Sequence, residues 1–289
     1  MLEQTLVGAA TAGLVASIAW RAGALSATGA VAATLTGTAA MAAGWGWGAL
    51  LIAYFVATSA LTRAGAAVKI GRIGSVVEKG GARDAWQVAA NGGAFALSAL
   101  VVSSTSVARV AHLAALVGAG ALAAAASDSW STEIGTWLGG TPRMITSWRA
   151  VPPGTSGGVT AWGLGGAVLG AALVAALALA WLGGASPHDG PGRLPLSTSP
   201  LREGALIFVA GVVGGLVDSW VGATVQARRH CPACRADSER RVHDCGAATV
   251  STGGWSWMTN DAVNAFATLS GGVGVLALHA LGVAAGAWT

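Results

Sequence analysis

Long apolar runs that are almost free of charge constrain the fold of this chain more than any other feature. Stretches such as 204–217 and 262–283 hold too few polar residues to give a helix the polar outer face that it needs in water. Charged residues make up only 10% of the 289 residues, and hydrophobic residues make up 54%. About 20 apolar residues cross a bilayer as an α-helix. The sequence therefore predicts an all-α, polytopic helical membrane protein.

Eight runs have a suitable length, and we predict about eight transmembrane helices, with seven as the alternative. The 13 Trp residues lie mostly near the ends of the runs, which is typical of the aromatic belts at membrane surfaces. We predict no separate soluble domain, so residues 1–289 form a single membrane domain with a Cys/Arg-rich loop at 227–260. The predicted spans are 4–20, 23–43, 45–62, 91–107, 110–127, 159–184, 204–226 and 261–287.

The basic residues predict the orientation of these spans. When alternate connections are grouped, 13 of the 16 Lys and Arg residues fall on one side, which the positive-inside rule assigns to the cytoplasm. The connections 63–90, 128–158 and 227–260 then face the cytoplasm, while the proline-rich connection 185–203 faces the other side. This spread is that of an oriented membrane protein, so the net charge of +4 does not indicate binding to nucleic acid.

Two aspartates occupy matching positions at the ends of apolar runs. Asp128 lies in SDSWSTEIG (127–135) and Asp218 in VDSWVGATVQ (217–226), so both begin the tripeptide Asp-Ser-Trp. A charge near the bilayer core costs roughly 2.5 to 3.5 kcal/mol, so two of them with the same neighbours indicate a site. Both lie at the predicted cytoplasmic ends of their spans. The alternative is a structural pairing of each aspartate with an arginine or a helix end.

A third carboxylate, Glu133, follows Asp128 by five residues, which places the two side chains about 140° apart around an ideal helix. They face one ligand only if the helix ends or bends between them. Mg²⁺ takes one or two protein carboxylates and completes its shell with water and substrate phosphate. We therefore predict that Asp128, Glu133 and Asp218 hold Mg²⁺.

A glycine-rich turn, in VPPGTSGGVT (151–160), leads into the sixth predicted span. Consecutive backbone N–H groups at a helix N-terminus form an anion site, to which hydroxyl groups add donors. Arg143 precedes the turn and has the forked guanidinium that suits a phosphate. The alternative is that the turn only caps a helix. The predicted phosphate-binding residues are Arg143, Gly154, Thr155, Ser156, Gly157 and Gly158.

Side-chain amides lie at the predicted membrane level of the two aspartates. Asn260 and Asn264, four residues apart at the start of the last span, share one helical face. Gln226 closes the segment that begins with the second Asp-Ser-Trp. We predict that these three amides orient a substrate.

The three cysteines lie together in the loop 227–260. CPAC (231–234) and HDCG (243–246) offer Cys231, Cys234, His243 and Cys245, enough ligands for a Cys₃His zinc site. The single residue between His243 and Cys245 makes joint binding of one ion awkward, so free thiols are the alternative, and redox chemistry a further one. A structural disulfide is not expected in the reducing cytoplasm.

Several segments, in order, resemble one family of integral membrane proteins, which includes animal transmembrane protein nineteen and the plant phytyl-phosphate kinase. The resemblance covers nearly the whole chain and implies a polytopic helical protein. The plant member implies transfer of a phosphoryl group to an isoprenoid monophosphate. The segments are ALSATGAVAA, TRAGAAVK, RDAWQVAANGG, SDSWSTEIG, TPRMIT, VPPGTSGGVT, VDSWVGATVQ and NDAVN.

A weaker similarity links SDSWSTEIG and the glycine-rich turn to CTP-dependent prenol kinases and phosphatidate cytidylyltransferases. It implies a metal-binding role for Asp128 and phosphate contacts for residues 154–158. Those proteins usually have Lys-Thr in the turn, whereas the nearest base here is Arg149. The identity of the nucleotide, CTP or ATP, is therefore open.

The expected function is that of a Mg-dependent kinase embedded in the bilayer, with its active site facing the cytoplasm. A prenyl monophosphate would enter from the lipid and a nucleoside triphosphate from water, and phosphoryl transfer would rest on positioning and charge neutralisation. The alternatives are a cytidylyltransferase acting on a lipid phosphate and a transporter of lipids or small molecules, in which the aspartates relay protons or bind substrate. A homo-oligomer is compatible with the sequence.

Overall fold

The computed structural model describes residues 2–73, 81–182 and 200–285. Most of the predicted connection 185–203 lies outside these ranges. Within them, the chain forms nine helices and five short strands. The helices are α1 (Leu2–Arg21), α2 (Ala27–Ala43), α3 (Trp45–Arg63), α4 (Ala66–Ile73), α5 (Ala85–Ser104), α6 (Ala108–Leu138), α7 (Ala161–Leu182), α8 (Pro200–Thr224) and α9 (Asn260–Ala284). The strands are β1 (Arg143–Met144), β2 (Gly158–Val159), β3 (Arg228–Cys231), β4 (Ala236–Ser238) and β5 (Val250–Gly253).

The predicted all-α, polytopic membrane fold is confirmed. Six helices in the described part of the chain, α3 and α5 to α9, are long and apolar enough to cross a membrane. Helix α2 is a shorter apolar helix. The predicted span 4–20 is helical as part of α1, but α1 is not among these six.

Helix α5 begins six residues before the predicted span 91–107 because its N-terminus is capped. The Asp84 carboxylate accepts a hydrogen bond from the backbone N–H of Gln87, and the Gln87 side chain accepts one from the backbone N–H of Asp84. This capping box satisfies two N–H groups that a helix start leaves unpaired. The polar residues that start α5 therefore lie at the end of the bundle where the site forms.

Helix α6 is the centre of the bundle and packs against α5, α7, α8 and α9. Its residues 118–127 are all buried, and nearly all of them are Gly or Ala. Small residues let transmembrane helices approach closely. A Cβ at Gly120 would lie 2.7 Å from the carbonyl oxygen of Gly271 in α9, closer than real Cβ contacts allow. Side-chain size on α6 therefore sets the spacing of the helices around it.

The connections at one end of the bundle form two small antiparallel sheets. Strands β1 and β2 pair with each other, and the loop 227–260 folds into a three-stranded sheet in the order β4-β3-β5. Hydropathy predicts only the membrane segments, so these strands were not expected from the sequence. They place the glycine-rich turn and the cysteine loop beside the ends of the helices.

Candidate functional site

A polar cavity of about 520 Å³ opens where α5, α6, α8 and α9 meet at one end of the bundle. Its wall contains four carboxylates of the helices, several amides and hydroxyl groups, and the glycine-rich turn. The tertiary structure thus brings together residues that lie far apart in sequence. The predicted site residues that line it are Asp128, Glu133, Gly154, Thr155, Ser156, Gly157, Gly158, Asp218, Gln226, Asn260 and Asn264.

The two matching aspartates lie side by side in the wall of this cavity. Asp128 on α6 and Asp218 on α8 lie within hydrogen-bonding distance of each other. With its nitrogen facing the acceptors, the Asn264 amide donates to Asp218 Oδ2 and to the carbonyl oxygen of Asn260, each over 3.1 Å. Two carboxylates this close repel each other unless a proton or a cation lies between them. The pair is therefore suited to hold a cation.

A close helix crossing brings the two aspartates together. Gly215, three residues before Asp218, faces Ser127, and a Cβ at Gly215 would lie only 2.3 Å from the Ser127 hydroxyl oxygen and 3.3 Å from the backbone nitrogen of Asp128. Since only hydrogen fits there, α6 and α8 touch along their backbones at the level of the site. The crossing explains why both Asp-Ser-Trp segments reach one cavity.

Glu133 is held differently from the aspartates. Helix α6 continues through to Leu138, so it does not end between Asp128 and Glu133. Glu133 Oε2 instead accepts a hydrogen bond from Lys69 Nζ at 2.5 Å, and Oε1 accepts one from the Thr62 hydroxyl at 2.6 Å. Lys69 is buried and also donates to the carbonyl oxygens of Leu61 and Thr62. The charge of Glu133 is thus already neutralised by Lys69.

The glycine-rich turn lines the cavity, but it does not begin the next helix. Thr160 caps the N-terminus of α7 instead, because its hydroxyl accepts a hydrogen bond from the backbone N–H of Gly163 at 3.0 Å. The N–H groups of Thr155 and Gly158 bond within the turn, to the carbonyl oxygens of Pro152 and Thr155. Only part of the predicted row of backbone donors is therefore available to a ligand.

Glycine is required in the turn for reasons of backbone geometry. Gly154 and Gly157 have φ angles of 83° and 80°, a region that favours glycine. A Cβ at Gly157 would also lie 2.5 Å from Cβ of Ala223 at the end of α8. The turn is thus packed directly against α8, near Asp218.

Arg143 lies outside the cavity, in contrast to its predicted role. It lies in β1, paired with Val159, and is exposed while Nη1 donates to the Trp148 carbonyl oxygen at 2.9 Å. Two other arginines, Arg72 and Arg83, line the cavity. Arg83 donates to the hydroxyl groups of Ser59 and Thr62, at 3.0 and 3.2 Å. The positive charge beside the carboxylates thus comes from segments that we had not assigned to the site.

Polar residues at the start of α5 are also part of the cavity wall. Gln87 and Asn91 lie four residues apart, on one face of α5, and follow Arg83 at the same spacing. All three lie in RDAWQVAANGG, one of the segments that carry the family resemblance. Their spacing of four residues, next to an apolar run, was the sequence signal that could have identified these three residues as part of the site.

A second, mainly apolar cavity of about 90 Å³ adjoins the polar one. Arg83, Gln87 and Asn91 line both cavities. The remaining wall comes mostly from small and apolar side chains of α1, α2 and α3, including Ala16 and Phe55. The larger cavity is therefore polar and charged, and the adjoining smaller cavity is suited to a hydrocarbon chain.

The three-stranded sheet contacts the polar cavity through Glu239. Its Oε1 accepts hydrogen bonds from the Ser156 hydroxyl and from the Gln226 amide, each at 2.8 Å. Glu239 directly follows β4 and lines the cavity itself. The sheet, the glycine-rich turn and the end of α8 are thus joined at one carboxylate.

The four predicted zinc ligands lie together, apart from the polar cavity. The ligand atoms of Cys231, Cys234, His243 and Cys245 are all within 4.8 Å of one another. A backbone hydrogen bond from Ala247 and the side chain of His243 lower the pKa of Cys245 to about 6. The hydrogen bond with Cys245 is the main cause that raises the pKa of Cys234 to about 11.

Comparisons with known proteins agree with this architecture. Residues 10–272 match the family described as Integral membrane protein DUF92. A relative from Arabidopsis thaliana, Protein PGR, is 32% identical over 231 residues, which cover 75% of this chain and 77% of that protein. No solved structure matches the chain.

Proposed function

Because the chain belongs to the integral membrane protein family DUF92, in agreement with the resemblance in its sequence, we propose that it is a membrane-embedded prenyl-phosphate kinase. The enzyme would transfer the terminal phosphoryl group of ATP or CTP to an isoprenoid monophosphate and release the prenyl diphosphate. Its site would face the cytoplasm, where nucleoside triphosphates are present. The proposal rests on the chemistry of the cavity walls and on the family resemblance.

The observation that carries the proposal is the junction of the two cavities. A prenyl monophosphate has a charged head and an apolar tail, and the site has a polar cavity joined to an apolar one at Arg83, Gln87 and Asn91. The head would lie beside Arg83 and the tail among α1, α2 and α3. A substrate without a tail would leave the apolar cavity unused, so the site favours an amphiphilic substrate over a soluble one.

Asp128 and Asp218 are the residues that would hold Mg²⁺. They fit the ion because their adjacent carboxylates offer oxygen ligands and leave positions for water and phosphate. When bound, Mg²⁺ would neutralise phosphate charge. Asn264 orients Asp218, while Glu133 is paired with the buried Lys69. Since Lys69 already neutralises Glu133, the two aspartates are the better ligands for the ion.

The other polar residues would position the two phosphate groups. Arg83, Asn260 and Gln226 line the cavity and are candidates for contacts with phosphate oxygens. The hydroxyl groups of Thr155 and Ser156 would first have to give up their hydrogen bonds to Pro152 and Glu239. An oxygen of the prenyl monophosphate attacks the terminal phosphorus of the nucleotide, and the bond to the bridging oxygen breaks. The nucleoside diphosphate leaves with that electron pair. An acceptor that is already a phosphate anion needs little help from a general base.

A cytidylyltransferase would use the same cavity but give different products, namely pyrophosphate and a nucleotide-linked lipid. A transporter site is favoured less, since such sites usually lie near the middle of the bilayer. Asp128 is 20 residues from the start of α6, about 30 Å along the helix, which places it near the far boundary of a hydrocarbon core about 30 Å thick.

The test is an assay on protein purified in detergent. The protein is incubated with Mg²⁺, labelled ATP or CTP, and prenyl monophosphates of increasing chain length. We expect labelled prenyl diphosphate, and faster turnover with prenyl monophosphates than with a short soluble alkyl phosphate. Release of pyrophosphate with a nucleotide-linked lipid would indicate the cytidylyltransferase, and a lack of turnover with every pair would contradict both enzymes.

A further inference from the structure

The loop 227–260 brings four metal-binding side chains together in two adjacent turns. Cys231 ends β3 and Cys234 lies in the turn to β4, while His243 and Cys245 lie in a second turn before β5. We propose that these four residues bind one structural Zn²⁺, which fixes the three-stranded sheet against the polar cavity. This proposal does not depend on the reaction proposed above.

The distances among the ligand atoms fit a tetrahedral zinc site. Cys231 Sγ lies 3.7 Å from Cys245 Sγ, and His243 Nδ1 lies 3.3 Å from Cys245 Sγ. With Zn–S near 2.3 Å and Zn–N near 2.0 Å, a tetrahedron has edges of about 3.5 to 3.8 Å. All three thiols are free, so each can serve as a thiolate ligand.

The backbone resolves the difficulty of the one-residue gap between His243 and Cys245. In each turn a residue in the left-handed region follows the last cysteine: Arg235 with φ of 52° and Gly246 with φ of 81°. The N–H of Gly246 donates to the His243 carbonyl oxygen at 2.8 Å, which tightens the second turn. This curvature points two ligands that are close in sequence toward one position.

Two of the four ligands are buried, which also points to a metal ion. Cys231 is fully buried, and His243 is only 9% exposed. A buried imidazole beside three thiols suits zinc, because thiolate and imidazole ligands favour zinc over the harder magnesium and calcium ions.

The ion would act on the polar cavity through the sheet. Cys231 lies on β3 and pairs with Ala236 of β4, and Glu239 follows β4 directly. Glu239 bonds Ser156 and Gln226, so an ordered sheet keeps the glycine-rich turn beside α8. The loop contributes few large apolar side chains of its own, and a metal is a common substitute for a core in so small a unit.

The test is the metal content of the full chain, purified in detergent with a thiol reductant. We expect one zinc ion per wild-type chain, and loss of at least nine-tenths of it in Cys231→Ser and His243→Ala. His230→Ala is the matched control, because His230 lies in the same sheet but bonds Asp237, away from the cluster. Retention of zinc in His243→Ala, or its loss in His230→Ala, would overturn the ligand set.

A second measurement does not depend on the folding of a variant. Wild-type protein stripped of zinc is refilled with Co²⁺, and we expect one ion per chain with the visible absorption of tetrahedral cobalt thiolate. Trypsin should cleave the stripped protein at Arg235, Arg240 or Arg241 on the order of tenfold faster than the refilled protein. Wild-type protein that holds no zinc and gives no tetrahedral cobalt spectrum would refute the proposal, whether or not the protein has kinase activity.

Discussion

At the scale of single residues, the site depends on two carboxylates that only the fold brings side by side. Asp128 and Asp218 come from helices 90 positions apart in sequence, yet they lie within hydrogen-bonding distance. Their closeness is unfavourable in the absence of a proton or cation, and stability gained elsewhere must offset that cost. Such local conflict is typical of functional positions.

The first prediction concerns this pair. Asp128→Asn and Asp218→Asn should each abolish phosphoryl transfer and leave the protein folded, because an amide keeps the shape but loses the charge that holds Mg²⁺. Turnover of labelled prenyl monophosphate and gel filtration are the measurements. Asp237→Asn is the matched control, since that carboxylate is 85% exposed and lies in the sheet. If a variant keeps more than about a tenth of the wild-type rate, its activation free energy has risen by less than roughly 1.4 kcal/mol, and that aspartate has a structural role only.

The second prediction concerns the Lys69–Glu133 ion pair. Both side chains are largely buried, with exposures of 10% and 18%. Lys69→Met should destabilise the protein by about 3 kcal/mol, because it leaves the Glu133 charge buried without its partner. Thermal unfolding in detergent measures the loss. Adding Glu133→Gln to Lys69→Met should recover much of the lost stability, because it removes the unpaired charge. A double variant no more stable than Lys69→Met would show that the charge of Glu133 does not cause the destabilisation.

At the scale of elements, the crossing of α6 and α8 sets the distance between the aspartates. This crossing requires glycine at position 215, where a Cβ would meet the buried Ser127. The helix propensity of the segment would improve with alanine there, yet the packing forbids it. Close contact between α6 and α8 is therefore gained at the expense of the helix propensity of this segment.

The third prediction follows from that contact. Gly215→Ala should lower the melting temperature, by an overpacking cost of about 1 to 3 kcal/mol, and should reduce turnover by moving α8 away from α6. Gly165→Ala in α7 is the control, because among the described residues no atom beyond the neighbouring backbone of α7 lies within 4 Å of its Cβ position. That variant should keep or slightly raise stability. Equal melting temperatures of Gly215→Ala and Gly165→Ala would contradict the close crossing of α6 and α8.

At the scale of the whole molecule, one end of the bundle collects the functional groups. The polar cavity, the glycine-rich turn and the cysteine sheet all lie where α6 and α8 end and α9 begins. The predicted orientation places this end in the cytoplasm, beside the water-soluble nucleotide. Orientation thus decides whether the proposed reaction has access to its second substrate.

The fourth prediction concerns this orientation. An introduced Ser147→Cys, next to the polar end, should react with an impermeant maleimide only from the cytoplasmic side, and Ser106→Cys, between α5 and α6, only from the opposite side. Both serines are exposed in loops, so they form a matched pair. Mass spectrometry of peptides from right-side-out and inverted vesicles distinguishes them from the native cysteines. The reverse pattern would contradict both the topology and the nucleotide-dependent reaction.

The family and the membrane fold were predictable from the sequence. Burying charge in lipid is costly wherever it occurs, so local composition alone is informative. Apolar runs predict the transmembrane helices, and basic connections predict which side of the membrane each connection faces. The repeated Asp-Ser-Trp likewise predicted from local sequence that Asp128 and Asp218 belong to a site. The boundaries were less exact, as at α5, because a capping interaction between two side chains moved the helix start.

The tertiary structure alone decided which distant groups meet. Lys69 reaches Glu133 across 64 positions, Arg83 enters the cavity while Arg143 faces outward, and Glu239 joins the cysteine sheet to the glycine-rich turn. It also curved two short turns so that His243 and Cys245 approach one point. Hydropathy and spacing describe each segment by itself, whereas these contacts depend on how closely helices cross, which small residues on facing helices determine together.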